Sequence, residues 1–136
     1  MNPILRNILA IIAGIIVGSI VNITLVNLGP VIIPPPEGAD ITTMEGLKAS
    51  MELFGPMNFL FPWLGHAIGT LVGALIAAKI AASRKLVLAM VIGVVFLIGG
   101  IMMVVQLPSP MWFNVLDIVG AYLPMAWIGY KLAGNN

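Results

Sequence analysis

The chain has no cysteine, one histidine, and only six basic and five acidic residues among 136. Without cysteine it can form no disulfide, thiolate metal site or iron–sulfur cluster of its own, and no dithiol redox chemistry. With His66 as its one imidazole, a single copy cannot clamp a haem between two histidines, and the residues present name no cofactor. The shortage of charge excludes more. Soluble domains average about 25% charged and about 45–50% apolar residues. Here 8% are charged and 60% apolar, with a mean hydropathy of +1.11. So few charges cannot cover a water-soluble globule, and a net charge of +1 offers no basic face to nucleic acid. Soluble enzymes, nucleic-acid binders and disordered chains are excluded. A glycine-rich loop with a lysine for phosphate is also missing.

What is present is long apolar runs. A helix needs about 20 mostly apolar residues to cross about 30 Å of hydrocarbon. Residues 8–28, 59–82, 86–105 and 112–132 qualify, the first closed by Gly29-Pro30. The first run exceeds the roughly 7–15 residues of a signal-peptide core, and no small-x-small cleavage site follows it, so it reads as a retained span. The expected fold is an all-α integral membrane protein, with residues 1–136 forming one domain of four transmembrane helices. Arg6, Lys79, Arg84, Lys85 and Lys131 fall on one side of such a bundle. The loop 29–58 on the other side holds Glu37, Asp40, Glu45 and Glu52 against Lys48 alone. Basic residues in short loops face the cytoplasm, so both termini are expected there, in a membrane of the bacterial inner-membrane kind. Trp63 and Trp112 at the outer ends, and Trp127 and Tyr130 near the inner end, fit an interfacial aromatic belt.

The outer loop starts with Pro34-Pro35-Pro36, an extended segment. Thr42 and Glu45 then have capping-box spacing, and Gly55-Pro56 is a stop. These signals predict a helix over about 43–54. Met44, Leu47, Met51 and Phe54 share one face, and Glu45, Lys48 and Glu52 a neighbouring one. The helix is therefore amphipathic, suited to lie on the outer surface or over the bundle mouth.

Helices in lipid associate through small residues that let backbones approach. Gly14 and Gly18 are four apart in the first span; Gly65, Gly69, Gly73, Ala77 and Ala81 continue that spacing through the second. Gly93, Gly99 and Gly100 mark the third, and Gly120, Ala121, Pro124 and Gly129 the fourth. The spacing leaves open whether these seams lie within one chain or between chains. Pro124 has no N–H for the carbonyl of Gly120, which predicts a kink or weak point in the middle of the fourth span.

Polar residues inside a span are costly and mark candidate sites. Asn22, His66 and Asp117 each lie five to seven residues from the outer end of a span. At about 1.5 Å per residue, that is roughly 8–10 Å below the boundary. Gln106 ends the third span above them, and Thr70 shares the His66 face. Asp117 is the one acid within a span, and His66 is its expected partner. Three readings stand: a hydrogen-bonded cluster that fixes helix register, a proton- or cation-handling site, or a ligand set that only an oligomer would complete. Lys79 is placed to snorkel to the headgroups, and the nine methionines are read as packing. The expected partners are the bilayer and either further copies of the chain or other membrane subunits. The functional expectation is an oligomeric transport or channel unit around Asn22, His66, Thr70, Gln106 and Asp117. The alternatives are an accessory subunit of a membrane complex, or an enzyme acting on lipid or quinone with His66 and Asp117 as acid and base.

Overall fold

Backbone groups that cross hydrocarbon must find hydrogen-bond partners within the protein, which favours unbroken helices. The computed structural model describes residues 1–134, and they contain helices and turns but no strand. Helix α1 runs over Pro3–Ile32, α2 over Met44–Ser50, α3 over Leu60–Ile80, α4 over Lys85–Gln106, α5 over Met111–Gly120 and α6 over Leu123–Ala133. Tight 3₁₀ turns at Met51–Leu53 and Pro56–Phe59 lead from α2 into α3. Four helical stretches are long and apolar enough to span a membrane: α1, Pro56–Ile80, α4, and α5 with α6 together.

Helix α1 outruns the expected 8–28 at both ends. The side chain of Asn2 accepts from the Ile4 N–H at 2.8 Å and Pro3 takes the first helical position, so the start is capped. Gly29-Pro30 does not stop it. Pro30 sits inside the helix, and the Ile33 N–H still reaches the Gly29 carbonyl at 2.7 Å. Gly29 serves close packing instead: a Cβ there would lie 2.8 Å from the Phe61 Cβ.

The glycine stripe is consumed inside the chain, between α1 and α3. A Cβ at Gly18 would lie 2.7 Å from the Gly69 carbonyl oxygen, and one at Gly69 2.9 Å from that of Gly18. Gly14 and Gly73 stand in the same reciprocal relation, at 2.6 and 2.7 Å. Gly65 opposes Asn22, and Ala77 touches the Gly14 position. The pairs run in opposite order along the two helices, so α1 and α3 are antiparallel with their backbones in contact. Below this seam, Ala74, Ala77, Ala78, Ala89, Ile92 and Ala126 form a fully buried core joining α3, α4 and α6.

The fourth apolar stretch is broken at the expected weak point. The helix stops at Gly120 and resumes at Leu123, with Pro124 in the first turn of α6, where its missing N–H costs nothing. The helical register is interrupted at Ala121 and Tyr122, so the face drawn on one continuous helix does not hold. Pro124 is exposed, and the nearest atom to a Cβ at Gly120 would be 3.9 Å away. Neither residue is at a tight seam. Gly129 is, because a Cβ there would press on the Leu71 carbonyl. Gly93 receives Ala126 in the same way.

The helix ends are tied at both poles. At the basic pole, Arg6 donates to the Ile80 carbonyl, and Asn7 accepts from the Ala82 N–H at 2.8 Å and donates to the Ser83 hydroxyl at 3.0 Å. At the loop pole, Met51, Phe59 and Phe113 pack together and join the loop to α5. The α2 segment differs from expectation in its cap. Thr43, not Thr42, is the N-cap, and its hydroxyl accepts from the Gly46 N–H at 2.9 Å. Thr42 instead donates its hydroxyl and N–H to Asp40, at 2.6 and 2.9 Å, and these bonds hold the Asp40 carboxyl below its usual range. Two adjacent threonines made the cap ambiguous by one residue. The regular helix also ends at Ser50, followed by the 3₁₀ turn, short of Phe54. Thr43→Ala should therefore cost the segment about 1 kcal/mol, read as faster amide exchange in α2, with Thr42→Ala leaving α2 exchange unchanged.

Candidate functional site

His66 lies on α3, one residue past the point where Gly65 lets Asn22 of α1 approach. Asp117 lies in the last full turn of α5 and is 2% exposed. Their side chains meet at 2.7 Å, His66 Nδ1 against Asp117 Oδ1. Tyr122, in the break between α5 and α6, donates its hydroxyl to Asp117 Oδ2 at 3.0 Å. Its ring also stacks on the imidazole, with centroids 5.8 Å apart and planes 25° from parallel. The break makes this possible: the chain leaves helical geometry after Gly120, and Tyr122, five residues past Asp117, is brought back over it. Gly100 of α4 makes the space. A Cβ there would collide with the Tyr122 ring and hydroxyl.

Both carboxylate oxygens of Asp117 thus have a donor within reach. With Asp117 ionised, the complementary tautomer of a neutral imidazole carries its hydrogen on Nδ1, leaving the Nε2 lone pair free. A carboxylate so buried is held by partners rather than by water. Among the described residues no group of three or more His, Cys, Asp or Glu side chains comes together.

The remaining candidates separate. Thr70 is buried one turn along α3, and its hydroxyl donates to the His66 carbonyl at 2.7 Å, a local back-bond. Asn22 lines a cavity with His66 and Tyr122, and its Oδ1 is buried without a hydrogen-bond partner. Gln106 is exposed at the end of α4 and lines no cavity with His66. Tyr122 is the residue that sequence reasoning missed. Its signal was present: a tyrosine between two helix-interrupting positions, Gly120 and Pro124, close in sequence to the one acid within a span.

Two cavities meet at His66. One, of about 170 Å³, lies between α1, α3, α4 and Tyr122 and includes Asn22. The other, of about 150 Å³, lies beneath the loop, between Met51, Asn58, Ser109 and Asp117. His66, Gly100 and Met103 line both. Tyr122→Phe should leave Asp117 Oδ2 without its donor and lower stability in detergent by about 0.6–1.7 kcal/mol. An unchanged unfolding midpoint would show that the bond carries no energy.

No protein-family model, curated protein or solved structure matches the chain.

Proposed function

We propose that the chain is a small multi-pass transport unit in which the His66–Asp117 pair takes up and releases a proton or small cation inside the membrane. The observation that carries this reading is an acid, 2% exposed, hydrogen-bonded to the one histidine at a depth where ionisable residues are costly, with a cavity on either side. A pair that exchanges one proton changes its charge by one unit, which is what coupling to a cation requires. Four helices enclose little volume, so the full path across the bilayer is completed between copies of the chain. By the distribution of basic residues, the Arg6–Arg84–Lys131 pole faces the cytoplasm of a bacterial inner membrane and the acidic loop faces outward. Helix α2 with its following turn is then an amphipathic cover at the outer surface.

The accessory-subunit reading loses one support, since the Gly65–Gly69–Gly73 stripe is occupied by α1 of the same chain. The lipid- or quinone-directed enzyme would use the same acid–base pair, but the Thr70 hydroxyl beside it is engaged with the His66 carbonyl. The test is flux. Purified protein in liposomes with an internal pH dye, under imposed sodium, potassium or pH gradients, should move protons or a monovalent cation faster than empty liposomes. Rates equal to empty liposomes for every gradient would overturn the proposal.

A further inference from the structure

Resting on that reading, we propose that the two cavities form one dead-end vestibule. It admits a small monovalent cation, hydrated or organic, from the loop pole to the His66–Asp117 pair and is closed toward the basic pole.

Three observations carry it. First, the outer cavity, apolar over most of its wall, carries Asn58, Ser109 and Asn114 among its lining and reaches Asp117 and His66, where it adjoins the inner cavity. Each cavity has room for more than one water. Second, toward the basic pole the way is shut. The α1 and α3 backbones touch at Gly14 and Gly73, and Ala74, Ala77, Ala78, Ala89 and Ile92 are fully buried. Third, the charge selects the sign of the occupant. The titratable groups lining the two cavities are His66, Asp117 and Tyr122, with no lysine or arginine. Arg6 and Arg84 lie at the basic pole with the end of α3, and Lys131 near the end of α6. With the imidazole neutral and Asp117 ionised the site carries one negative charge; a proton on His66 cancels it. An anion meets only repulsion or neutrality, whereas a cation and a proton compete for one charge. At the cover the Ser109 hydroxyl meets the Met51 sulfur at 4.0 Å, and both line the outer cavity.

The absence of cysteine makes the test direct, since any introduced thiol is the only one. Ser109→Cys, Met103→Cys and Ala78→Cys are each placed in vesicles of known orientation. Each is reacted with membrane-impermeant methanethiosulfonates, one carrying a trimethylammonium and one a sulfonate. Val94→Cys, on the exposed face of α4, controls for reagent dissolved in lipid. Expected is reaction of Ser109→Cys and Met103→Cys from the loop side only. At Met103→Cys the cationic reagent should outpace the anionic by tenfold or more, relative to their ratio at Ser109→Cys, and Ala78→Cys should stay unreacted. Adding Met51→Ala should speed the reaction at Met103→Cys. Reaction of Met103→Cys from the basic side overturns the closure. No reaction there from either side, while Ser109→Cys reacts, overturns the connection. Equal rates for both reagents overturn the charge selection. Labelling needs no turnover, so a labelled vestibule in a protein without flux removes the transport reading and keeps this one. Flux with an unlabelled Met103→Cys does the reverse.

Discussion

Alanine at Gly69 should destabilise the protein by roughly the 1–3 kcal/mol typical of an overpacked core, and leucine there should prevent the bundle from assembling. The added Cβ at Gly69 would lie 2.9 Å from the carbonyl oxygen of Gly18 and 3.0 Å from the Cβ of Asn22. The first of these neighbours is helix backbone, which cannot step aside as a side-chain tip can, so α1 and α3 must separate. Separation also opens the reciprocal contact at Gly14 and Gly73. In lipid no hydrophobic force returns the helices, because the tails solvate the exposed faces as well as leucine does. Gly99 is the control on a neighbouring helix: nothing lies within 4 Å of a Cβ there. Alanine at Gly99 should be neutral or slightly stabilising through its better helix propensity. Unfolding in detergent with increasing sodium dodecyl sulfate measures both. Equal midpoints for Gly69→Ala and Gly99→Ala would show that the seam does not hold the fold.

Asp117→Asn should bring flux down to the level of empty liposomes while the protein still folds. The amide keeps the shape of the carboxylate and can still accept from Tyr122, so the stability cost should stay within about 0.6–1.7 kcal/mol, the range of intramembrane hydrogen bonds. The charge that would draw a cation or stabilise the imidazolium is gone. His66→Ala removes the other half. A double-mutant cycle on unfolding should return a coupling of similar size, since each single change already removes the carboxylate–imidazole interaction made at 2.7 Å. Additive effects would dissolve the pair. Flux that survives Asp117→Asn would move the function elsewhere in the molecule.

The spans were legible because apolar length is a global property of each helix, insensitive to any single residue. The ends of the second to fourth spans were legible as well, and those of the first were not. Gly29-Pro30 has the composition of a stop, yet Gly29 is needed where α1 passes Phe61, and packing overrides the local signal. The α1–α3 seam was visible as a four-residue repeat, but its partner was not, because spacing describes one helix at a time. On the fourth stretch, Pro124 correctly warned of a weak point. Carrying one helical face through that point then misplaced Gly120 and Pro124 and hid Tyr122, whose position exists only because the helix stops. The approach of His66 to Asp117 followed from depth, which counts residues from the boundary and survives errors of rotation. Gln106, expected at the outer end of the third span above the others, does end α4, where it is exposed and lines neither cavity at His66.

Because His66 is the one histidine, its imidazole can be watched alone. Protein labelled with ¹⁵N-histidine in lipid nanodiscs gives a single pair of ring nitrogen signals. If His66 and Asp117 are paired as the 2.7 Å contact shows, the neutral ring will carry its hydrogen on Nδ1, and Asp117→Asn will shift both ring nitrogen signals. A ring hydrogen on Nε2, or signals unchanged by Asp117→Asn, would contradict it.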